Sequence, residues 1–461
     1  MLQRYHSWRQ DHLLRGVVKS SSYLFSSNAL SATLSFLQGI FAVRLLGADG
    51  YGLVSGTVIV FASNVNRLLS FRMSEVVVKH FGQALTVQAV EDRPNTVVEG
   101  KRERAAAVVK SAALVEAGTS LLAYLVLLLL APWAAAHVAK DPQAAYLFRF
   151  YGLVLLSNLV YETSTGVLQA SRRFDRLALI NTGQSILTAA LIFATFLYHG
   201  SALDVLAAYL LGKTLAGLAV AALALRELNA CLGRGWQRTS LRLLTDWREI
   251  AIFAINTNLS GTVNLFVRDN APLYLGALRP EAVAQTEVGY FKLALSIINL
   301  VMLPIEPFIW PTYAEITRTI AQNQWQATRR LLKRVSAIAG LWTLAAGGGM
   351  ALLGWWLIPL VYGSGMGPTY PAMLILLIGY GFANVLNWNR PLLLALGKPS
   401  FPLIVAAAAG LVEILLVIWI VPVYGYRSMA AILSGYFIIS IGVIVWRGMR
   451  EISKSETEHT P

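Results

Sequence analysis

An all-α polytopic membrane protein of about 12 transmembrane helices is the fold class this sequence predicts, and three observations predict it. Of 461 residues, 56% are hydrophobic and only 13% are charged, whereas soluble domains carry about a quarter charged residues. Twelve apolar stretches reach the roughly 20 residues that cross a bilayer's hydrocarbon as a helix. Lys and Arg are concentrated in alternate connections between those stretches, as membrane orientation requires.

The stretches are 24–45, 52–72, 106–131, 145–167, 178–198, 203–224, 250–273, 290–312, 335–358, 371–394, 401–421 and 428–446. The first two form a hairpin around the turn Leu46-Gly47-Ala48-Asp49-Gly50-Tyr51-Gly52. The hairpin returns in the second half, where 250–275 and 291–311 flank a longer turn bracketed by Leu275-Gly276 and Gly289-Tyr290. Spans four and ten each end in a short basic turn, Gln169-Ala170-Ser171-Arg172-Arg173-Phe174 and Leu396-Gly397-Lys398-Pro399-Ser400-Phe401. Six spans plus six, both halves starting on the same side, form a parallel repeat about an axis along the membrane normal.

An even number of crossings puts both termini on one side, and the basic residues choose it. Segments on the terminal side hold 26 Lys or Arg, while the opposite segments hold only Lys140, Arg279 and Arg427. Both termini are therefore expected in the cytoplasm of a multi-pass inner or plasma membrane protein. Residues 1–23 carry Arg4, Arg9, Arg15 and Lys19 among Leu2, Trp8, Leu13, Val17 and Val18, the pattern of an amphipathic segment on the inner surface. The apolar run that follows exceeds a cleavable signal's core. The organisation expected is this segment, an N-terminal six-helix bundle at 24–225, a cytoplasmic linker at 226–249 containing Gly233-Arg234-Gly235, a C-terminal bundle at 250–446 and a polar tail at 447–461.

Several functions are set aside. The net charge of +14 lies between apolar spans rather than in one patch, so topology accounts for it and no nucleic-acid partner is expected. The single Cys231 and six scattered histidines offer no metal site, and no phosphate-binding glycine loop is present. No cofactor and no catalytic residues are expected, and the short outer loops hold no external catalytic domain.

The hairpin Arg44-Leu45-Leu46-Gly47-Ala48-Asp49-Gly50-Tyr51-Gly52, the turn Leu396-Gly397-Lys398-Pro399 and the six-plus-six plan together resemble the polysaccharide flippases of the multidrug/oligosaccharidyl-lipid/polysaccharide exporter superfamily. The resemblance covers nearly the whole chain. It implies a V-shaped alternating-access carrier that moves an undecaprenyl-pyrophosphate-linked oligosaccharide from inner to outer leaflet for cell-surface polysaccharide synthesis. Membrane lipids and the glycan polymerase machinery are the further partners it implies.

The residues supply their own evidence for a substrate. Nine basic residues lie inside spans, Arg44, Arg67, Arg72, Lys110, Arg149, Lys213, Arg268, Lys292 and Arg390, against five acids, Glu116, Glu162, Asp269, Glu306 and Glu413. A charge at mid-membrane costs several kcal/mol unless it is paired or faces water. Arg44, Arg72 and Lys110 lie near span ends and can snorkel. Arg67, Lys213, Arg268 and Arg390 lie deeper, with Arg149 and Lys292 between. Ser63, Arg67, Ser70 and Ser74 fall on one helical face, with Asn64 beside it; Thr257, Gly261, Asn264 and Arg268 repeat the spacing. Span one adds Asn28, Ser31, Ser35 and Gln38, and Arg390 follows Asn384, Asn387 and Trp388.

These faces have two readings, a cavity that receives pyrophosphate and sugar hydroxyls, or hydrogen bonds between helices. Arg67, Arg268, Arg390, Arg149, Lys213, Lys292, Asn64, Asn264 and Asn387 are thus the substrate-binding candidates. Asp269, Glu162 and Glu306 are coupling-ion candidates, with proton, sodium and membrane potential alone all open. Helical phase turns Asp269 about 100° from Arg268, so pairing across helices is expected for it. Pro304, Pro307 and Pro311 around Glu306 predict a kink in span eight. Two other functions stay open: a multidrug/cation antiporter of the same superfamily, which calls for an acidic and aromatic cavity, and a membrane glycan polymerase or ligase.

Overall fold

The computed structural model describes residues 12–70, 73–78, 81, 95–233, 235–241, 248, 265–398 and 400–458. Among them every regular element is helical and no strand occurs. In chain order the principal helices are α1 (His12–Tyr51), α2 (Ile59–Leu69), α3 (Asn95–Ala134), α4 (Ala145–Gly152), α5 (Tyr161–Ala170), α6 (Phe174–Leu197) and α7 (Ala202–Leu232). They continue as α8 (Ala271–Leu278), α9 (Glu281–Met302), α10 (Ile309–Ala321), α11 (Trp325–Tyr362), α12 (Thr369–Val385), α13 (Asn389–Ala395) and α14 (Ser400–Glu458).

Eight helical stretches among the described residues are apolar and long enough to cross a membrane, and the bent pair α9 and α10 adds a ninth. Two of the eight are too long for one crossing: Ser26–Leu69 has 44 residues and Ser400–Glu456 has 57, against about 20 for a single span. Each is broken by a glycine in a conformation that other residues resist, Gly47 at φ 68° and Gly425 at φ 67°. Each therefore supplies two arms. The predicted span 250–273 lies mostly outside the described residues.

The chain gathers into two compact units that interleave along the sequence. The first comprises Met1–Gln38, Ala62–Pro132 and Tyr146–Gly261; the second comprises Gly39–Phe61, Trp133–Ala145 and Thr262–Pro461. In the first unit, Val77, Phe81, Val108, Leu168, Val220 and Leu228 form part of a closed apolar core. Small residues let its helices approach: a Cβ on Gly217 of α7 would stand 2.7 Å from the Ser157 carbonyl. Hydrogen bonds take over where apolar matching has no directional hold in lipid. The Ser27 hydroxyl donates to the Ala178 carbonyl at 2.9 Å, and Gln38 Nε2 donates to the Ser185 carbonyl at 3.0 Å, tying α1 to α6.

In the second unit the chain bends by 49° between α9 and α10, at the turn that holds Pro304. A proline lacks the N–H that would continue the helix. Past it the Ile305 N–H turns to the Met302 carbonyl at 3.1 Å rather than to Val301, and the Val301 carbonyl accepts from the Trp342 indole N–H of α11 at 2.8 Å. Elsewhere α12 packs directly on the second arm of α14, where the Ser434 hydroxyl donates to the Ile375 carbonyl at 2.7 Å. Gly379 lies at that contact, and a Cβ there would collide with the Ser434 backbone, whereas a Cβ on Gly442 meets nothing within 4 Å. Gly379→Ala is expected to cost about 1–3 kcal/mol by overpacking and to lower the unfolding temperature in detergent, with Gly442→Ala leaving it unchanged.

Candidate functional site

The first cluster of polar groups is built around a break in span four. The sequence predicts a continuous helix there, but α4 ends at Gly152, a 3₁₀ stretch covers Leu153–Asn158, and α5 restarts at Tyr161. A helix start leaves N–H groups without partners, and lipid supplies none. Val160 precedes the restart and has no side chain that can cap it. Glu116 of α3 does so from 46 positions earlier in the chain. Its Oε1 accepts from the Glu162 N–H at 2.6 Å and its Oε2 from the Thr163 N–H at 2.8 Å. Glu162 in turn accepts a 2.6 Å bond from the Ser74 hydroxyl. Lys213 of α7 places Nζ 4.5 Å from the Tyr161 ring centroid and lies within electrostatic reach of Glu162. Lys213 and Glu162 are thus brought together, inside a knot that also holds a helix start in place.

The other candidates of the first unit lie apart from that knot. On α2, Asn64 is buried and Arg67 is exposed in the last turn. Because α2 ends at Leu69, Ser74 does not continue its face as a single helix would. Arg149 on α4 is exposed and makes no hydrogen bond or ion pair among the described residues.

The second unit holds the stronger electrostatic feature. Asn264, with Thr257 and Gly261, lies outside the described residues, but Arg268 and Asp269 end a π-helical stretch, Leu265–Asp269. The expectation that these neighbours point apart is overturned: Arg268 Nε donates to Asp269 Oδ1 at 3.0 Å. The 100° phase holds for a regular α-helix, and here the helix is widened and ends one residue later, so the long arginine side chain folds back. Their side chains remain 45% and 20% exposed. Lys292 of α9 lies within electrostatic reach of Asp269, as Tyr380 of α12 and Tyr436 of α14 do of Arg268. Two basic side chains thus lie around one carboxylate, and the Arg268 side chain stays half exposed.

Arg390 on α13 is exposed and, among the described residues, unpaired. Its neighbours do structural work: Asn384 Nδ2 donates to the Thr343 hydroxyl at 2.8 Å, Asn387 Nδ2 to the Asn384 carbonyl at 3.0 Å, and the Trp388 indole to the Ser336 hydroxyl at 2.7 Å. Glu306 is exposed at the bend between α9 and α10.

A third cluster, on the turns read from sequence as outward, went unrecognised there. Arg279 holds Glu287 through two bonds of 2.9 and 2.7 Å and donates to the Pro422 carbonyl at 2.6 Å, while Glu287 also accepts from the Tyr426 N–H at 3.0 Å. Gln285 accepts from the Thr57 hydroxyl at 2.9 Å and donates to the carbonyls of Val138 and Ala139. Gly52 and Gly289 allow the backbones to touch, since a Cβ on either would collide with the opposing chain at Gln285 or Ala48. Arg44 donates to the carbonyls of Leu360 and Val361 at the end of α11. Lys110 likewise reaches the carbonyls of Gln237 and Thr239, and Arg72 lies outside the described residues.

This arrangement of helices, breaks and basic groups has known counterparts. The chain matches the family described as polysaccharide biosynthesis protein over residues 95–369, more than half its length. The chain belongs to that family. Among curated proteins, this polysaccharide biosynthesis protein is similar to the inner membrane protein YghQ of Escherichia coli (strain K12), 25% identical over 186 residues covering 40% of this chain. It spans 48% of that relative's length.

Solved structures show its fold. An inward-facing multidrug resistance MATE family transporter of the MOP superfamily superposes with a TM-score of 0.68 at 16% identity, covering 93% of this chain and 96% of that one. The lipid II flippase MurJ, in an inward closed conformation, gives 0.66 at 14% identity over 94% and 90%. A MOP superfamily transporter from Pyrococcus furiosus, whose reverse binding-pocket polarity is described as suggesting a different function, gives 0.63 at 16% over 96% of each. The protein is therefore a multi-span membrane protein, helical throughout its described residues, that shares the fold of these solved structures.

The Arg279–Glu287 pair is nearly buried, with side chains 15% and 13% exposed. Arg279→Met alone, leaving Glu287 uncompensated, is expected to destabilise the protein by about 2–3 kcal/mol, between the values for exposed and fully buried pairs. Arg279→Met with Glu287→Leu should recover most of that loss in a double-mutant cycle of thermal unfolding.

Proposed function

We propose that this polysaccharide biosynthesis protein flips an anionic lipid-linked oligosaccharide, of the undecaprenyl-pyrophosphate type, from the inner to the outer leaflet. The observation that carries the reading is the half-exposed Arg268, held by Asp269, with a second basic side chain, Lys292, within electrostatic reach of the same carboxylate. A guanidinium presents paired donors that match a pyrophosphate's oxygens, and a site poor in water strengthens that contact. The exposed Arg67, Arg149 and Arg390 extend the same chemistry along other spans.

The fold alone leaves the cargo open, because the solved relatives include a transporter named for multidrug resistance and one named a lipid II flippase. The arrangement of charge favours an anion. An antiporter for cationic drugs calls for carboxylates exposed where substrate enters, whereas here Glu116 is bound to backbone N–H groups, Glu162 to Ser74 and Asp269 to Arg268, which leaves Glu306 as the exposed acid among the five span carboxylates. Membership of a polysaccharide biosynthesis family supports a glycan as the cargo. The basic inner segments orient both termini to the cytoplasm. In this scheme the substrate phosphate competes with Asp269 for Arg268, and the released carboxylate becomes available to a coupling ion.

The test is complementation of a strain lacking its polysaccharide flippase, with surface glycan and inner-leaflet lipid-linked intermediates quantified. Arg268→Ala should lower export about 10- to 100-fold, the worth of one or two charge-assisted hydrogen bonds, with protein level unchanged. Arg268→Lys should retain part. Full export by the alanine variant would remove Arg268 from the site, and acquired dye resistance without relief of glycan accumulation would favour the antiporter.

A further inference from the structure

Glu116 and Glu413 are equally sealed in apolar helices, at 0% and 3% exposure, yet they are held in opposite ways. Glu116 receives two backbone N–H bonds that satisfy a negative charge. Glu413, on the first arm of α14, receives none: among the described residues neither of its oxygens has a hydrogen-bond partner. The titratable groups facing it are Tyr274 of α8, Tyr380 of α12 and Tyr436 of the second arm of α14. All three are uncharged phenols; beyond Tyr380 and Tyr436 lies Arg268, which is paired with Asp269, and no basic side chain hydrogen-bonds Glu413 among the described residues.

A carboxylate with neither donor nor cation is far more costly to bury than a neutral acid. A metal ion would require several oxygens around it, and no cluster of three or more metal-binding side chains occurs among the described residues. A proton is the ligand that this environment accepts. Beside Glu413, a cavity of about 590 Å³ opens between the two arms of α14, with Tyr436 also in its wall and aliphatic residues such as Val405, Val412, Ile439 and Val443 around it. Its almost wholly aliphatic wall gives the carboxyl no polar surface that would hold a charge.

We propose that Glu413 is a proton-binding site of the second unit, occupied in the conformation described. It is distinct from Asp269, whose carboxylate is held by Arg268, and it rests on the transport reading only for its use, a charge change available to the conformational cycle. Infrared spectroscopy of the full chain in lipid nanodiscs at neutral pH tests the site without any substrate, so failure of the flippase reading leaves the result intact. The expected spectrum has a protonated-carboxyl C=O band that shifts in D2O, is lost in Glu413→Gln, moves in Glu413→Asp and persists in Glu116→Gln. Absence of that band from the unmodified chain, or its full persistence in a folded Glu413→Gln variant, would overturn the proposal.

Discussion

Hydrocarbon cannot hydrogen-bond, and this one constraint explains more of the structure than any other. Wherever a helix inside the membrane stops, bends or restarts, the chain has to provide partners for the backbone groups set free. Glu116 does so for the start of α5, and the Trp342 indole does so for the Val301 carbonyl at the bend after α9. Polar side chains that seemed available for a ligand are, in several cases, already committed to this task. Ser27 and Gln38 bind carbonyls of α6, Ser74 binds Glu162, and Asn384 binds Thr343.

The same constraint sorts the charges. A basic residue that has neither a carboxylate nor a carbonyl at hand must face water or cargo. Arg44 and Lys110 end on carbonyls near the ends of their helices, and Lys213 lies over Tyr161. Arg149 and Arg390 are exposed without such partners among the described residues, and Arg268 remains half exposed although paired. An electropositive remainder therefore survives after structural needs are met. That remainder is the chemistry on which the proposed pyrophosphate-bearing cargo rests.

What the sequence made legible was what depends on local chemistry. Apolar length marks the spans, glycine marks the sharp turns at Gly47 and Gly425, and proline marks the bend before Glu306. What stayed hidden depends on partners distant in the chain. Span four reads as an unbroken apolar run because nothing near Val160 signals a helix start; its cap is a glutamate on another helix. The Arg279, Glu287 and Gln285 clasp was invisible because its partners, Pro422, Tyr426, Thr57 and Val138, come from three other stretches. The pairing of Arg268 with Asp269 was missed for a third reason: regular helical phase was applied to a stretch that winds as a π-helix.

Movement of a charged glycolipid head across the bilayer is the proposed activity on which the reading of these charges rests. Purified protein reconstituted in liposomes with an undecaprenyl-pyrophosphate-linked oligosaccharide in both leaflets tests it most directly, by the rate at which inner-leaflet glycan becomes accessible to an external lectin or glycosidase. The account predicts that access rises with protein content and is slowed by added inorganic pyrophosphate, which competes for the basic groups. Access no faster than in protein-free liposomes, under an imposed proton or sodium gradient of either direction as well as without one, would contradict it.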